Sequence, residues 1–294
     1  MNLQILTGSL LTLTALALNQ ARADESPKNI YEVETHLNTA YRDDKDADRI
    51  KHKLDIYTPK GQTDFPVLMF VHGGSWTSGD KSWYAALGNT FAKNGICTVV
   101  INYRLSDKKY KAKHPDHIKD VASAFAWTYE NIGKFGGRQD RIFISGHSAG
   151  AHLVALLATD ESYLKAHKLG LDNIRGVLPL SGVYEITPGF FAFNGPFGTD
   201  AATCKAASPV CQVKGKNPPF LICYADSDFP TIDKMSESMC KKLVDAKCDA
   251  HTLQIEKRNH FSIIVYLALN SEDPCTGAMF DFISKHSEWK RPGK

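Results

Sequence analysis

The chain has 294 residues, of which 43% are hydrophobic, and this length and composition suit one large α/β domain rather than two ordinary domains. The formal net charge of +3 at pH 7 gives no basic excess that would point to nucleic acid as a partner. The sequence contains neither the Cys/His spacing of a zinc site nor a G-x-G-x-x-G dinucleotide motif, so we expect no metal and no cofactor.

The first 23 residues resemble a removable export signal. The run from Leu3 to Leu18 is apolar with scattered Thr and Ser, and Ala21-Arg22-Ala23 fits a small-x-small cleavage site. No Lys or Arg precedes the run, which is atypical, and a membrane anchor is the alternative. Because the run is short for a span and interrupted by polar residues, we predict a signal peptide at 1–23, no stable membrane insertion after cleavage, and a periplasmic or secreted protein.

Seven cysteines in an exported chain predict at least one disulfide. Two pairs lie close in sequence and would each close a small loop, namely Cys204 with Cys211 and Cys240 with Cys248. Cys97 and Cys223 lie inside apolar, strand-like runs and are expected to be buried thiols. Cys275 is unassigned and could compete for Cys240 or Cys248, so the connectivity stays open.

Apolar runs and their periodicity predict alternating strands and helices after residue 24. The predicted strands, in chain order, are 31–35 at an edge, 53–57, 66–71, 96–101, 142–144, 174–180, 220–224 and 252–255. The predicted helices are 83–93, 116–135 ending at Gly136-Gly137, 151–158, 231–246, and 261–285 with an interruption near Pro274. Such alternation favours a single α/β domain over 24–294, with a mostly parallel central sheet and helices on both faces.

The stretch 184–217 is long for a connection and has little helical or strand periodicity. We predict a loop or lid insertion here, because long ordered loops in compact enzymes often form lids or pocket walls. Four phenylalanines lie in it, at positions 190, 191, 193 and 197. They either shape an apolar or aromatic substrate site or pin the loop to the core.

The pentapeptide Gly146-His147-Ser148-Ala149-Gly150 lies between an apolar strand and an Ala/Leu-rich helix. This is the context that a nucleophile elbow requires. The turn is so tight that side chains two positions from its centre would collide, and Gly146 and Gly150 remove them. We therefore predict that Ser148 is a nucleophile at the carboxyl edge of the sheet, in front of a helix N-terminus that favours negative charge. The alternative is a glycine-rich turn before a packed helix.

A second glycine motif, His72-Gly73-Gly74-Ser75-Trp76, follows the strand predicted at 66–71 directly. The tetrahedral intermediate of acyl transfer carries a negative oxygen that needs preorganised backbone N–H donors. We assign these donors to Gly74, Ser75 and Ala149, the last being the residue after the nucleophile. The alternative is a Gly-Gly turn, but the presence of both motifs, each after a predicted strand, favours catalysis.

With these motifs the chain resembles α/β-hydrolases of the esterase/lipase group, over roughly residues 50–285. It is most similar to the branch that includes hormone-sensitive-lipase-like, kynurenine-formamidase-like and feruloyl-esterase-like proteins. One departure is Ser75, where many relatives have a third glycine; a backbone donor survives that change. The residues that carry the resemblance are HGGSW at 72–76, NYRL at 102–105, His114-Pro115 and Asp120, GHSAG at 146–150, Ser208-Pro209, PPFLI at 218–222 and NHF at 259–261.

The resemblance implies the fold and the rest of a Ser-His-Asp triad, in the chain order nucleophile, acid, base. The family's strand-loop spacing favours Asp228 as the acid, with Asp226 as the alternative. His260 follows the last strand and is the expected base, and Asp228 would orient its imidazole. Trp76, His147 and Phe229 adjoin these groups in sequence and are assigned to substrate binding, although His147 is equally suited to packing beside the elbow.

The expected function is that of an exported serine esterase acting on a small-molecule carboxylic ester, as a monomer or a homodimer. Small or aromatic acyl groups on carbohydrate are the favoured substrates, because of the export signal and the phenylalanines. One alternative is an amidase of the kynurenine-formamidase type, although export argues against that intracellular role. Another is a non-catalytic binding protein on a hydrolase scaffold, which the presence of all three triad residues disfavours.

Overall fold

Eight strands form one sheet in the order β1-β2-β4-β3-β5-β6-β7-β8, in a computed structural model that describes residues 31–292. Only β2 runs antiparallel to its neighbours, β1 and β4, and every other neighbouring pair is parallel. The predicted signal peptide at 1–23 lies outside the described residues. The strands are β1 Val33–Ala40, β2 Lys53–Pro59, β3 Phe65–Val71, β4 Cys97–Ile101, β5 Gly137–His147, β6 Gly176–Leu180, β7 Phe220–Ser227 and β8 Ala250–Asn259.

Helices connect the parallel strands, as crossover connections require. Short 3₁₀ segments precede the first helix at Lys81–Tyr84 and follow the second at Ile132–Phe135, where Gly136 ends the helix with φ 82°. The helices are α1 Ala85–Lys93, α2 Asp116–Asn131, α3 Ala149–Leu157, α4 Ser162–Lys165, α5 Phe191–Phe197, α6 Ala201–Ala207, α7 Pro209–Gln212, α8 Ile232–Asp245, α9 Ser262–Leu269 and α10 Pro274–Ser287.

The sheet has an apolar core on each face. Strand β3 is buried along its whole length, and alternate residues point to opposite faces: Val67 and Met69 to one, Leu68 and Phe70 to the other. Helices α2, α3 and α8 cover the first face, and α1, α9 and α10 cover the second. The predicted α/β fold, with a mostly parallel sheet between two helical layers, is confirmed.

The segment 184–217, which the sequence predicted to be a loop or lid insertion, is partly helical. It contains three short helices, α5, α6 and α7. Phe193 and Phe197 are buried and pin α5 to the body, whereas Phe190 and Phe191 are exposed. Phe193 and Phe197 thus pin the segment to the core, whereas a role of Phe190 and Phe191 in substrate binding stays a prediction.

All seven cysteines are free thiols, so the predicted disulfide is not found in the structure. Cys204 is buried in the core, whereas Cys211 is exposed. Cys248 is buried as well, while Cys240 is only partly covered, and neither pair of sequence neighbours is bonded. Cys97 and Cys223 are buried thiols, as the sequence predicted, and Cys275 is buried too.

Across residues 31–292, none of the helices is both long and apolar enough to cross a membrane.

Candidate active site

Ser148 lies in a strained turn between β5 and α3. Its φ of 55° and ψ of −116° are conformations that an L-residue adopts only at a cost, and a backbone hydrogen bond from its N–H to the Leu180 carbonyl at 2.9 Å holds the turn in place. The side chain is partly exposed, unlike the residues around it. The predicted elbow is therefore present, with its serine at the carboxyl edge of the sheet.

The two elbow glycines are required by close backbone approach. A Cβ atom at Gly146 would lie 2.6 Å from the backbone of Gly150, and one at Gly150 would lie 2.0 Å from the Val71 carbonyl oxygen. Real Cβ atoms essentially never come so close to another atom. The turn can therefore form only with glycine at both positions.

His260 and Asp228 form the acid–base pair that the resemblance implied. Nδ1 of His260 lies 2.6 Å from Oδ1 of Asp228, and both side chains are almost completely buried, at 4% and 3% exposure. Because the carboxylate only accepts hydrogen bonds, Nδ1 carries the proton, which leaves the Nε2 lone pair of His260 available as a base. The two residues come from the ends of the neighbouring strands β7 and β8.

Hydrogen bonds keep Asp228 ionised despite its burial. Burial by itself raises the pKa of this carboxyl group, but hydrogen bonds from His260, the Ser181 hydroxyl and the Ala225 N–H bring the pKa below its ordinary value. Ser181 follows β6 directly and was missed by the sequence prediction. Its place at the carboxyl end of the strand next to β7 was the available signal.

Asp226, the alternative acid, has a different task. Its carboxylate is exposed and accepts the backbone N–H groups of Lys257 at 2.8 Å and Arg258 at 3.0 Å. These bonds tie the end of β7 to the end of β8 and lower the pKa of Asp226. The geometry therefore places Asp228, and not Asp226, against the imidazole.

His147 connects the nucleophile to the base. Its Nε2 lies 2.8 Å from the backbone oxygen of His260, and the two ring centroids are 4.8 Å apart. Within residues 31–292 no hydrogen bond joins the Ser148 hydroxyl to the His260 ring; in free enzymes such catalytic contacts are often long and tighten with substrate. Ser148 and His260 thus share His147 as a common neighbour.

The loop after β3 brings backbone N–H groups against the elbow. A Cβ atom at Gly73 would lie 3.3 Å from the Ser148 Cβ atom, so this loop is in contact with the nucleophile. Gly74 and Ser75 have positive φ values of 118° and 52°. In the described part of the chain their N–H groups make no hydrogen bond, and Ala149, as the first residue of α3, has no intrahelical acceptor. The three predicted oxyanion donors therefore have no hydrogen-bond acceptor within residues 31–292, and Gly73 places the loop that carries two of them beside Ser148.

Trp76 and His147, which the sequence analysis assigned to substrate binding, are both buried beside the site. Trp76 is 2% exposed, and its indole N–H donates to Nδ1 of His152 at 3.2 Å while its ring packs edge-on against Phe197. His147 is 5% exposed and its Nε2–H is used by the His260 carbonyl. Burial lowers the pKa of His147 to about 4, so the ring is neutral. Both side chains are buried and brace the site from inside, and the nitrogen atoms used in these bonds are not available to a substrate.

Phe229 lies at the mouth of the site. Its ring stacks on the His260 imidazole with centroids 4.1 Å apart and an interplanar angle of 21°, and it is 50% exposed. One face therefore covers the base, while the other is open to a ligand. A phenyl face is also a favourable neighbour for an imidazole that becomes positively charged.

These parts together suit acyl transfer. A hydroxyl at a strained turn, an imidazole bonded to a buried carboxylate, and three N–H groups without an acceptor in the described residues all lie on segments at the carboxyl edge of the sheet. Such a set can deprotonate a serine, stabilise an oxyanion and return the proton to a leaving group.

Comparisons with known proteins show that the chain is similar to esterases. A family model described as BD-FAE matches residues 54–176. Esterase LipQ of Mycobacterium tuberculosis is 32% identical over 197 residues, which is 62% of this chain and 46% of LipQ. The probable isoprenylcysteine alpha-carbonyl methylesterase ICMEL1 of Arabidopsis thaliana is 25% identical over 256 residues, 79% of this chain and 52% of that protein. The chain thus spans about half the length of these curated relatives.

Solved structures of low sequence identity share the fold. A truncated carbohydrate esterase from gut microbiota superposes with a TM-score of 0.74 at 20% identity, covering 90% of this chain and 99% of that one. Esterase B from Lactobacillus rhamnosis, inhibited by a C6-C4 SN3 compound, gives a TM-score of 0.73 at 20% identity, covering 95% and 94% of the two chains.

Proposed function

We propose that this chain, which is similar to esterases of the α/β-hydrolase fold, is a serine esterase that hydrolyses small carboxylic esters through an acyl-enzyme on Ser148. The observation that carries the proposal is the 2.6 Å contact between Asp228 and His260 beside the strained turn of Ser148. A buried carboxylate and imidazole in this contact are arranged to activate a neighbouring hydroxyl group.

In the first half of the reaction, Nε2 of His260 takes the proton as the Ser148 oxygen attacks the ester carbonyl carbon. Asp228 stabilises the imidazolium that forms, since its carboxylate is already bonded to Nδ1. The C–O bond to the alcohol then breaks, and the imidazolium gives its proton to the leaving alkoxide. In the second half His260 deprotonates water, which attacks the acyl group and releases the acid and Ser148.

The negative oxygen of both tetrahedral intermediates would be held by the N–H groups of Gly74, Ser75 and Ala149. These groups have no internal partner in the described residues, so no existing hydrogen bond must break when the oxyanion forms. Preorganised donors of this kind are usually a large contribution to acyl-transfer rates.

The proposed substrate is a small or aromatic acyl ester of a carbohydrate, met outside the cytoplasm. The BD-FAE match, the similarity to a carbohydrate esterase and the half-exposed Phe229 over the base support this class. Export rests on the amino-terminal sequence, where Ala21-Arg22-Ala23 follows a short apolar run.

Labelling with a fluorophosphonate probe tests the nucleophile, together with turnover of p-nitrophenyl acetate. We expect the parent protein to react, and Ser148→Ala to lose labelling and to lose turnover by about 10⁴-fold or more. Ser145→Ala is the control, because Ser145 lies in β5 with its hydroxyl bonded to the Leu178 carbonyl at 2.6 Å. Substantial turnover by Ser148→Ala would refute the assignment.

Two further outcomes separate the alternatives. Faster cleavage of a formamide than of the matching ester would favour the amidase. A folded parent protein that reacts with neither probe nor ester would favour the binding protein.

A further inference from the structure

A cleft of about 860 Å³ lies away from the catalytic residues, between the segment that follows β1 and the helices α2 and α4. Its walls include Tyr41, Arg42, Trp127, Glu130, Tyr163 and His167. Its volume falls within the range of about 300–1,000 Å³ that is common for ligand sites. None of the residues assigned to the ester-cleaving site lines it.

Several polar groups in this cleft have no partner within the described part of the protein. No hydrogen bond is made by the indole N–H of Trp127, the hydroxyl of Tyr163 or the carboxylate of Glu130. Both rings are only partly buried, so each combines an open ring surface with an unused polar atom. The cleft thus offers a donor, an acceptor and a group that does both, beside apolar surface.

The charges in the cleft nearly cancel. Arg42 is already bound to Asp44 by two hydrogen bonds of 2.8 Å, which leaves little of its charge for a ligand. Burial lowers the pKa of His167, so its ring is neutral at pH 7. The remaining charged side chains in the lining are Lys119, Asp43 and Glu130. The three carboxylates of the lining, Asp43, Asp44 and Glu130, repel an anion, and Arg42 and Lys119 repel a cation. An uncharged ligand therefore fits the cleft best.

We propose that this cleft is a second binding site, specific for a neutral carbohydrate. A sugar presents an apolar C–H face, which suits the rings of Trp127 and Tyr163, and hydroxyl groups that both donate and accept. Glu130 would accept from such hydroxyls, and the Trp127 N–H and Tyr163 hydroxyl would donate to them. The site goes beyond ester cleavage and does not depend on it, since it would hold a polysaccharide chain whether or not that chain carries an ester.

Calorimetric titration of the full-length Ser148→Ala protein with xylotriose and, separately, with cellotriose tests the proposal without turnover. We expect saturable binding of at least one trisaccharide. Trp127→Ala should weaken binding about tenfold or more, because ring surface and a donor are both lost. Tyr163→Phe and Glu130→Gln should each weaken it roughly three- to tenfold, and because these two groups have no internal partner, the fold should be unaffected.

Trp83→Ala is the matched control, since Trp83 is 68% exposed and lies outside the cleft. It should leave the dissociation constant unchanged. The proposal is overturned if the titration shows no saturable heat of binding at trisaccharide concentrations up to about 10 mM. A dissociation constant above that concentration corresponds to a negligible affinity. The proposal is also overturned by binding that Trp127→Ala, Tyr163→Phe and Glu130→Gln all leave intact, or by inorganic phosphate competing for the site. Ester turnover measured with Ser148 restored is a separate result, so failure of one proposal does not imply failure of the other.

Discussion

Nε2 of His147 lies 2.8 Å from the backbone oxygen of His260, so the residue that precedes the nucleophile is hydrogen-bonded to the residue that carries the base. A carbonyl oxygen only accepts, and His147 therefore donates through Nε2–H. Burial, together with the positive charge of a protonated His260, lowers the pKa of His147 to about 4. A neutral ring thus links β5 to the end of β8 at the reaction centre.

We predict that His147→Phe lowers kcat about ten- to a hundredfold and changes KM little. The phenyl ring keeps the volume but leaves the buried His260 carbonyl without a donor, at a cost of about 1–3 kcal/mol. Steady-state kinetics with p-nitrophenyl acetate measures the effect. His147→Gln restores an N–H donor and should recover part of kcat. His251→Ala, on the exposed part of β8, is the control, and an unchanged kcat in His147→Phe would contradict the role.

A second prediction separates the two carboxylates after β7. Asp228→Asn should reduce kcat by about 10³–10⁴-fold, because the amide can no longer stabilise the imidazolium on Nδ1 of His260. Asp226→Asn should stay within about tenfold of the parent, since it affects only two backbone hydrogen bonds on the exposed loop.

The same kinetics decide between these residues, with circular dichroism to confirm folding of each variant. The reverse order of effects would reassign the acid to Asp226. Equal losses in both variants would mean that the loop acts as a unit and that neither carboxylate alone orients the base.

The sequence, together with the family resemblance, predicted the groups whose positions follow strand ends. Ser148, Asp228 and His260 each come directly after or near the end of a parallel strand, and such ends meet at one edge of the sheet. Gly146 and Gly150 were recognisable because the turn geometry excludes a side chain. These are local constraints, and local constraints can be read from residue type and spacing.

The contacts that were not predicted depend on how the chain turns in space. Trp76 has a φ of 60°, which directs it inward to His152 instead of toward a substrate, and its neighbours in sequence do not reveal this. The three helices in 184–217 are too short for a periodic pattern, and α5 is held by packing of Phe193 and Phe197 on Trp76. The proximity of Cys204 and Cys211 in sequence likewise did not indicate that only one of them is buried.

We predict that the protein loses stability between pH 6.5 and pH 4. Burial lowers the pKa of several histidines below the ordinary value of 6.5, and most strongly for four of them, to about 4 for three and to about 3 for His152. Unfolding lets these rings take up protons, so the unfolded state binds more protons in this window and the free energy of unfolding falls as pH falls. Above pH 6.5 the contribution of these histidines to the free energy of unfolding no longer changes with pH. The four residues are His72, His117, His147 and His152.

Urea denaturation at pH 7.5 and pH 5.0 measures this loss, which should be about 1–2 kcal/mol for each histidine. His152→Gln provides the matched variant, because Gln also donates and accepts, as His152 does toward Ala207 and Trp76, but does not titrate. The slope of its unfolding free energy against pH should be smaller than that of the parent protein, by the amount that corresponds to about one bound proton. His251→Ala should keep the parent slope, because His251 is exposed. Equal stability of the parent protein at the two pH values would contradict the prediction.

The last prediction concerns the elbow backbone. Gly150→Ala should abolish both activity and correct folding around β3, because the new Cβ atom would lie 2.0 Å from the Val71 carbonyl oxygen and 2.7 Å from that of His72. Neither oxygen is the end of a flexible side chain, so the strand or the turn must move. Overpacking of this kind in a buried region typically costs about 1–3 kcal/mol or more, and here it also displaces Ser148.

Gly277→Ala is the matched control for the same substitution. Gly277 lies inside α10, a Cβ atom there would meet nothing within 4 Å, and alanine is a better helix former by about 0.5–1 kcal/mol. This variant should keep full activity and unfold at the same or a higher urea concentration. Soluble yield, urea midpoint and fluorophosphonate labelling of both proteins provide the comparison. If Gly150→Ala is labelled at the parent rate, then the turn tolerates a side chain at this position and the close packing of β3, α3 and Ser148 does not set the reactivity of the serine.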